Sequence, residues 1–182
     1  MLLEREFQMR DAEIGADGRT LILACVPFDV AATVDDGDGQ YEESFKRGAF
    51  ASITKAANRV ELRYAHREGI PYGFGQQLIE DPTHLLGVFR VAPSERGDQV
   101  LALVRDNQLK GVSIGFVPGH SDETTVNGKR SVSRVHIKQL AEVSLTPAPA
   151  YHGAEVLAVR EASVDAALRE RERLFWTRAR LL

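Results

Sequence analysis

The chain has 182 residues, 43% of them hydrophobic and 27% charged, with a net charge of −3. That is the size and mixture of one compact domain with room for a tail, and it carries no basic excess to mark a nucleic-acid binder. One cysteine excludes an internal disulfide and suits a reducing, cytoplasmic setting; no apolar run approaches the ~20 residues of a membrane span, and the charged start MLLEREFQMR does not read as a signal peptide.

Strand periodicity dominates. REFQMRDAEI and RTLILACVPF flank the turn signal GADG and predict an N-terminal hairpin, with Cys25 a packed thiol in its second strand. VDDGDGQ is an acidic, glycine-rich loop; it lacks a bidentate Glu at the offset a calcium loop needs. FKRGAFASITKAAN has helical spacing, with Phe50, Ile53 and Ala57 on one side, and VELRYAH follows as a strand ending at His66. IPYGFGQQLIEDPTHLLGVFRVA predicts two strands about the turn DPTH. SERGDQVLALVRDNQLKG predicts an amphipathic helix capped by Ser94 and ended by Gly111, with Val100, Leu101, Leu103 and Val104 on its apolar face.

LKGVSIGFVP is then a strand in which Val112, Ile114 and Phe116 alternate with Ser113 and Gly115. HSDETTVNGKRSVSR carries Asn127-Gly128, a two-residue hairpin signal. VHIKQLAEVSLT is the last long strand, and PAPAYHGAEVLAV a turn leading into a short helix. From Ser163 the pattern is helical. Ala167, Leu174 and Leu181 recur every seven residues, as do Leu168, Phe175 and Leu182, beside an arginine-rich face. A helix this short is marginal alone and is expected to dock on the domain, a second copy or another partner. The division expected is a domain at 1–160 and a helical tail at 161–182. The fold class expected is mainly β with flanking helices, a small barrel or sandwich.

One combination of residues stands out chemically. If Val112, Ile114 and Phe116 enter the core, Ser113 points the other way, with open space beside it at Gly115. In LAEVSLT, Ala141, Val143 and Leu145 form an apolar set, which places Glu142 and Ser144 on the opposite face. His66, at a strand end, is placed to reach into a cleft. Serine, histidine and carboxylate are the parts of an activated nucleophile, because a serine hydroxyl needs a base and the base needs a group to orient it. On pattern alone the three are as readily ordinary polar positions on a wet sheet face. The other histidines show no metal-site spacing, and neither a metal nor an organic cofactor is expected.

The segments YEESFKRGAF, RYAHREGIPYGFG, LKGVSIGF and LAEVSLTPAPAYHGAEV, in that order over residues 20–158, resemble the successive blocks of the phage prohead protease family. These are capsid-maturation proteases of tailed phages, related to the herpesvirus assemblins. The resemblance implies a closed barrel of about seven strands with surrounding helices. It also implies Ser113 as nucleophile, His66 as general base and Glu142 as third member, where the assemblins carry a second histidine. It favours Ser113 over Ser144, which a reader of the strand pattern alone could equally choose. The family's histidine usually follows an asparagine; here Ala65 stands there.

The assemblins place consecutive arginines in the turn after the third catalytic residue, and this chain has TPAPAYHG instead. Pro147 and Pro149 have no N–H, which leaves Ala148, Ala150 and Tyr151 as backbone donors in that turn; Ala150 or Tyr151 is the one expected to serve an oxyanion hole. The implied activity is a serine endopeptidase acting inside the procapsid, in the infected bacterium, on scaffold and capsid proteins. Self-cleavage is expected near Val159 to Ala167, and a homo-oligomer could form through the tail. Two rivals are an inactive protease-fold assembly component and a β-barrel binding module whose arginine-rich tail holds nucleic acid. Activity of a Ser113→Ala variant discriminates the first, salt-dependent DNA binding by the tail the second.

Overall fold

A computed structural model describes residues 1–8, 12–15, 17–37 and 39–147. The GADG turn forms as expected: β2 (Ala12–Ile14) and β3 (Thr20–Pro27) pair antiparallel across it, with Gly18 at a φ of +69°. The segment before β2 departs from the hairpin. β1 (Leu3–Gln8) pairs instead with β9 (Gly111–Pro118), the strand that carries Ser113. Cys25 is fully buried in β3, and burial pushes its thiol up to about 12.

β4 (Ala32–Asp35) and β5 (Gln40–Phe45) form a hairpin about the acidic loop. The following segment buries Phe50, Ile53 and Ala57 as its spacing predicts, but through turns and a 3₁₀ stretch, Thr54–Arg59, not an α-helix. β6 (Glu61–Tyr64), β7 (Gly73–Glu80) and β8 (His84–Val91) follow, the last two joined at the DPTH turn. Helix α1 (Glu95–Arg105) starts at Ser94, whose hydroxyl accepts the Gly97 N–H at 3.2 Å. Gly111 does not end it. The helix stops at Arg105, the left-handed residue beyond is Asn107 at φ +53°, and Gly111 opens β9. β10 (Ser121–Val126) and β11 (Lys129–Arg134) pair across Asn127-Gly128, both at positive φ as a two-residue turn requires. β12 (Ile137–Thr146) is the last described strand.

These strands make two sheets. One has eight strands in the order β1-β9-β12-β6-β7-β8-β3-β2, the other four in the order β10-β11-β5-β4. The architecture is mainly β, as expected, but the barrel is not closed. The large sheet curls so that β3 comes near β9, yet β1 and β2 lie at opposite edges with no ladder between them among the described residues. Closure needs the two edge strands to pair along a staggered register, and among the described residues β2 offers three. The tail and the turn beyond Pro147 fall outside the described residues, so the expected helix at 161–182 lies there too.

The core lies against the inner face of the curled sheet. Val112, Ile114 and Phe116 of β9 are fully buried, and Phe116 meets Phe45 edge-on at 5.3 Å between ring centres. Each such side chain contributes about 1.5–3 kcal/mol through burial. Beside them lies a buried ion network. Glu43 of β5 accepts from the guanidinium of Arg5 on β1 and from Arg134 Nε on β11 at 2.7 Å. Arg5 also donates to Asp36 at 2.8 Å and to the Tyr41 hydroxyl at 2.9 Å. Burial opposes the charge on Arg5, but its bonds to Asp36 and Glu43 outweigh that and raise its pKa. The network ties β1 to the smaller sheet.

Candidate active site

On β9 the alternation that sends Val112, Ile114 and Phe116 inward turns Ser113 and Gly115 to the other face. β12 pairs antiparallel with β9, so that Ser144 lies opposite Ser113 and Glu142 opposite Gly115. Glu142 owes its facing to alternation with Val143, and Leu140 owes its own to a bulge. Leu140 pairs with Phe116 and Glu142 with Gly115, so Ala141 is an extra residue in β12. Leu140 and Val143 both enter the core, three positions apart, while Glu142 and Ser144 share the face of Ser113. The apolar set is therefore Leu140, Val143 and Leu145, not the expected Ala141, Val143 and Leu145.

The face is occupied, not open. A Cβ on Gly115 would stand 2.7 Å from Glu142 Cγ and 3.0 Å from its Oε1, so glycine is required for the Glu142 side chain to lie across β9. Ser113 is fully buried, not poised in an exposed cleft, and its hydroxyl donates to the Arg5 carbonyl of β1 at 2.9 Å.

β6 runs parallel to β12 on its other side, with Arg63 opposite Ser144. The strand ends at Tyr64, not at His66. Ala65 and His66 both take left-handed backbone angles, φ +48° and +54°, which turn the chain at the strand end. Ala65 N–H still bonds to the Leu145 carbonyl at 2.9 Å, and His66 N–H bonds to Ser144 Oγ at 3.2 Å. His66 Nδ1 then meets Glu142 Oε1 at 2.6 Å. A carboxylate at that distance places the ring proton on Nδ1, the tautomer whose Nε2 accepts a proton.

Of the sequence-predicted residues, His66 and Glu142 are thus brought into direct contact. Ser113 lies on the same sheet face, in the strand beside Glu142, with its hydroxyl turned to Arg5. Ala150 and Tyr151 lie outside the described residues.

Two further charged groups belong to the face, and sequence reading missed both. Arg63 Nε lies 3.3 Å from Glu142 Oε2; a bond to Glu61 foremost, and the Glu142 charge after it, raise the Arg63 pKa. The alternation of VELRYAH was the available signal, since Glu61 and Arg63 share a face. Glu4 Oε1 lies 3.5 Å from His66 Nδ1, and no local pattern announces it, because its position follows from the distant pairing of β1 with β9. The ligand atoms of Glu4, His66 and Glu142 all lie within 4.8 Å of one another, a spacing that would admit a divalent cation. The His66–Glu142 separation itself is that of a hydrogen bond.

Comparison with known proteins bears on this arrangement. The chain is similar in fold to the capsid assembly protease gp21 of bacteriophage T4, with 14% identity and a TM-score of 0.53, over 80% of this chain and 96% of that one. No curated protein matches it. Residues 8–170 match the Caudovirus prohead serine protease family, and with that match across most of its 182 residues the chain belongs to this family.

Proposed function

We propose that this chain is a serine endopeptidase of procapsid maturation that uses Ser113, His66 and Glu142. The observation that carries the reading is the 2.6 Å contact of His66 Nδ1 with Glu142, on the sheet face that Ser113 shares. A base oriented by a buried carboxylate beside a serine strand is the arrangement that acyl transfer needs.

In this reading the Ser113 hydroxyl leaves the Arg5 carbonyl and turns to His66 Nε2. His66 takes its proton as Ser113 Oγ attacks the peptide carbonyl. Glu142 holds the ring and stabilises the imidazolium. The tetrahedral intermediate collapses to an acyl-enzyme as His66 protonates the departing amine, and a water activated by His66 then releases the acid. The backbone N–H of Ala150 or Tyr151 serves the oxyanion.

The substrates are scaffold and capsid proteins within the procapsid, in keeping with the family. For the tail at 161–182, whose sequence pattern is helical, two roles are open to test: release by self-cleavage near Val159 to Ala167, or a contact between copies. The decisive experiment is Ser113→Ala on purified capsid and scaffold proteins. The rate falls by about three or more orders of magnitude if the reading is right. Retained cleavage removes Ser113 from the mechanism. A protease-fold assembly component without turnover is the second reading, favoured by the buried Ser113 hydroxyl and its bond to Arg5; cleavage by the unaltered chain rules it out.

A further inference from the structure

Ser144 has no part in the mechanism just described, yet it is fully buried at the centre of the face, opposite Ser113. Its hydroxyl joins two parts of the machinery. It accepts the backbone N–H of His66 at 3.2 Å and donates to Glu142 Oε2 at 3.3 Å. The other oxygen of that carboxylate takes the His66 ring at 2.6 Å. One hydroxyl therefore closes a ring of three hydrogen bonds: His66 backbone to Ser144, Ser144 to Glu142, Glu142 to the His66 imidazole.

The location is where such a bond matters. Ala65 and His66 both hold left-handed angles, which cost non-glycine residues about 1–3 kcal/mol each and persist only where surroundings over-determine them. β6 ends at Tyr64, so its ladder to β12 no longer fixes His66. Past that point Ala65 N–H bonds to the Leu145 carbonyl, Arg67 N–H to the Tyr64 carbonyl, and His66 N–H to Ser144 Oγ. The Ser144 anchor is a side chain and is removable by mutation.

We propose that Ser144 is a positioning residue: it holds the backbone of His66 and the carboxylate of Glu142 in one register, so that the imidazole is aimed at the nucleophile. The inference rests on the proposed Ser113–His66–Glu142 reading. It also gives the second serine a role other than attack. The Ser144 proton is directed at Glu142, and its oxygen already accepts from His66 N–H, so the geometry gives it the work of an orienting group.

The test uses the full chain with capsid-protein substrate, comparing Ser113→Ala, Ser144→Ala and Ser144→Thr, together with labelling by a fluorophosphonate that traps activated serines. Ser144→Ala lowers kcat about 10- to 100-fold with KM within about twofold, since sub-ångström misplacement of a base acts on the chemical step. It is still labelled at Ser113, more slowly. Ser144→Thr keeps the hydroxyl and recovers most of the rate. In the Ser113→Ala background, where turnover is absent, the low-field proton signal of the His66–Glu142 pair weakens on adding Ser144→Ala; this readout does not depend on turnover or on Thr fitting the site. Full kcat and an unchanged proton signal in Ser144→Ala overturn the positioning role while leaving Ser113 in place. Label on Ser144, with activity surviving in Ser113→Ala, overturns the reading on which the inference rests.

Discussion

His66 Nδ1 and Glu142 Oε1 stand 2.6 Å apart, joining a strand-end loop to the middle of β12 across 76 residues of chain. Glu142 is 5% exposed, so its charge acts on the imidazole with little screening from water. Glu142→Gln keeps the shape and removes the charge. It is expected to lower kcat by about 10² to 10⁴-fold, with substrate binding little changed. Steady-state kinetics on capsid protein checks this, and activity within about twofold of the unaltered chain would remove Glu142 from the triad.

Gly115 faces Glu142 across the β9–β12 ladder, and its missing Cβ is the space the carboxylate crosses. Gly115→Ala places a methyl 2.7 Å from Glu142 Cγ. The side chain has to move, so this variant is expected to lose about 10-fold or more in kcat and about 1–3 kcal/mol in stability. A crystal structure of the variant showing Glu142 still on His66 contradicts the explanation.

Glu43 is shared by the guanidiniums of Arg5 and Arg134 in the buried network. Glu43→Gln leaves Arg134 without its buried anion and Arg5 with Asp36 alone, and urea denaturation is expected to report a loss of about 3–5 kcal/mol. Replacing Arg5, Glu43 and Arg134 together by apolar residues of similar volume is expected to recover most of it, because the buried charges leave together and Asp36, the carboxylate that stays, reaches water and keeps its bond to Tyr41. A triple variant as unstable as the single one refutes this account.

Asp36 caps the same network, hydrogen-bonded to Arg5 and Tyr41. Burial pushes its carboxyl up, but those bonds and the arginine charges outweigh it, so its pKa falls below the ordinary 3.8. A depressed folded pKa contributes stability that is fully present above the unfolded value and disappears as pH falls through the folded one. The stability gap between the unaltered chain and Asp36→Asn is therefore constant above about pH 5 and closes below about pH 4. Denaturation midpoints across that range check it; a gap that widens on acidification reverses the sign and the argument.

Ala65 holds φ +48°, a region asparagine and glycine tolerate better than alanine. Asparagine is the usual neighbour of the matched histidine in the prohead protease family. Ala65→Asn is expected to stabilise the fold by roughly 0.5–1 kcal/mol while keeping activity, by relieving the left-handed angle. Thermal unfolding measures it, and a destabilised variant shows that the alanine methyl is needed where it lies.

Much of the fold was legible in the chain, because turn chemistry and alternation act locally. Asn127-Gly128 specified its hairpin, Ser94 its helix start, and the alternation of Val112, Ile114 and Phe116 the inner face of β9. Four ordered blocks pointed to His66, Ser113 and Glu142; the fold joins His66 to Glu142 directly and sets Ser113 on the same sheet face, bonded to Arg5. What the chain could not disclose depended on partners far along it. β1 leaves the hairpin for β9, which brings Glu4 to His66 and the Arg5 carbonyl to Ser113. The extra residue Ala141 turns Leu140 inward, and the register of β12 on β9 sets Gly115 opposite Glu142. Among the described residues the two edge strands share no ladder, so the expected barrel stays open. Alternation specifies which face of a strand is apolar; only the assembled sheets decide which strand lies beside it, in what register, and with which polar groups in reach.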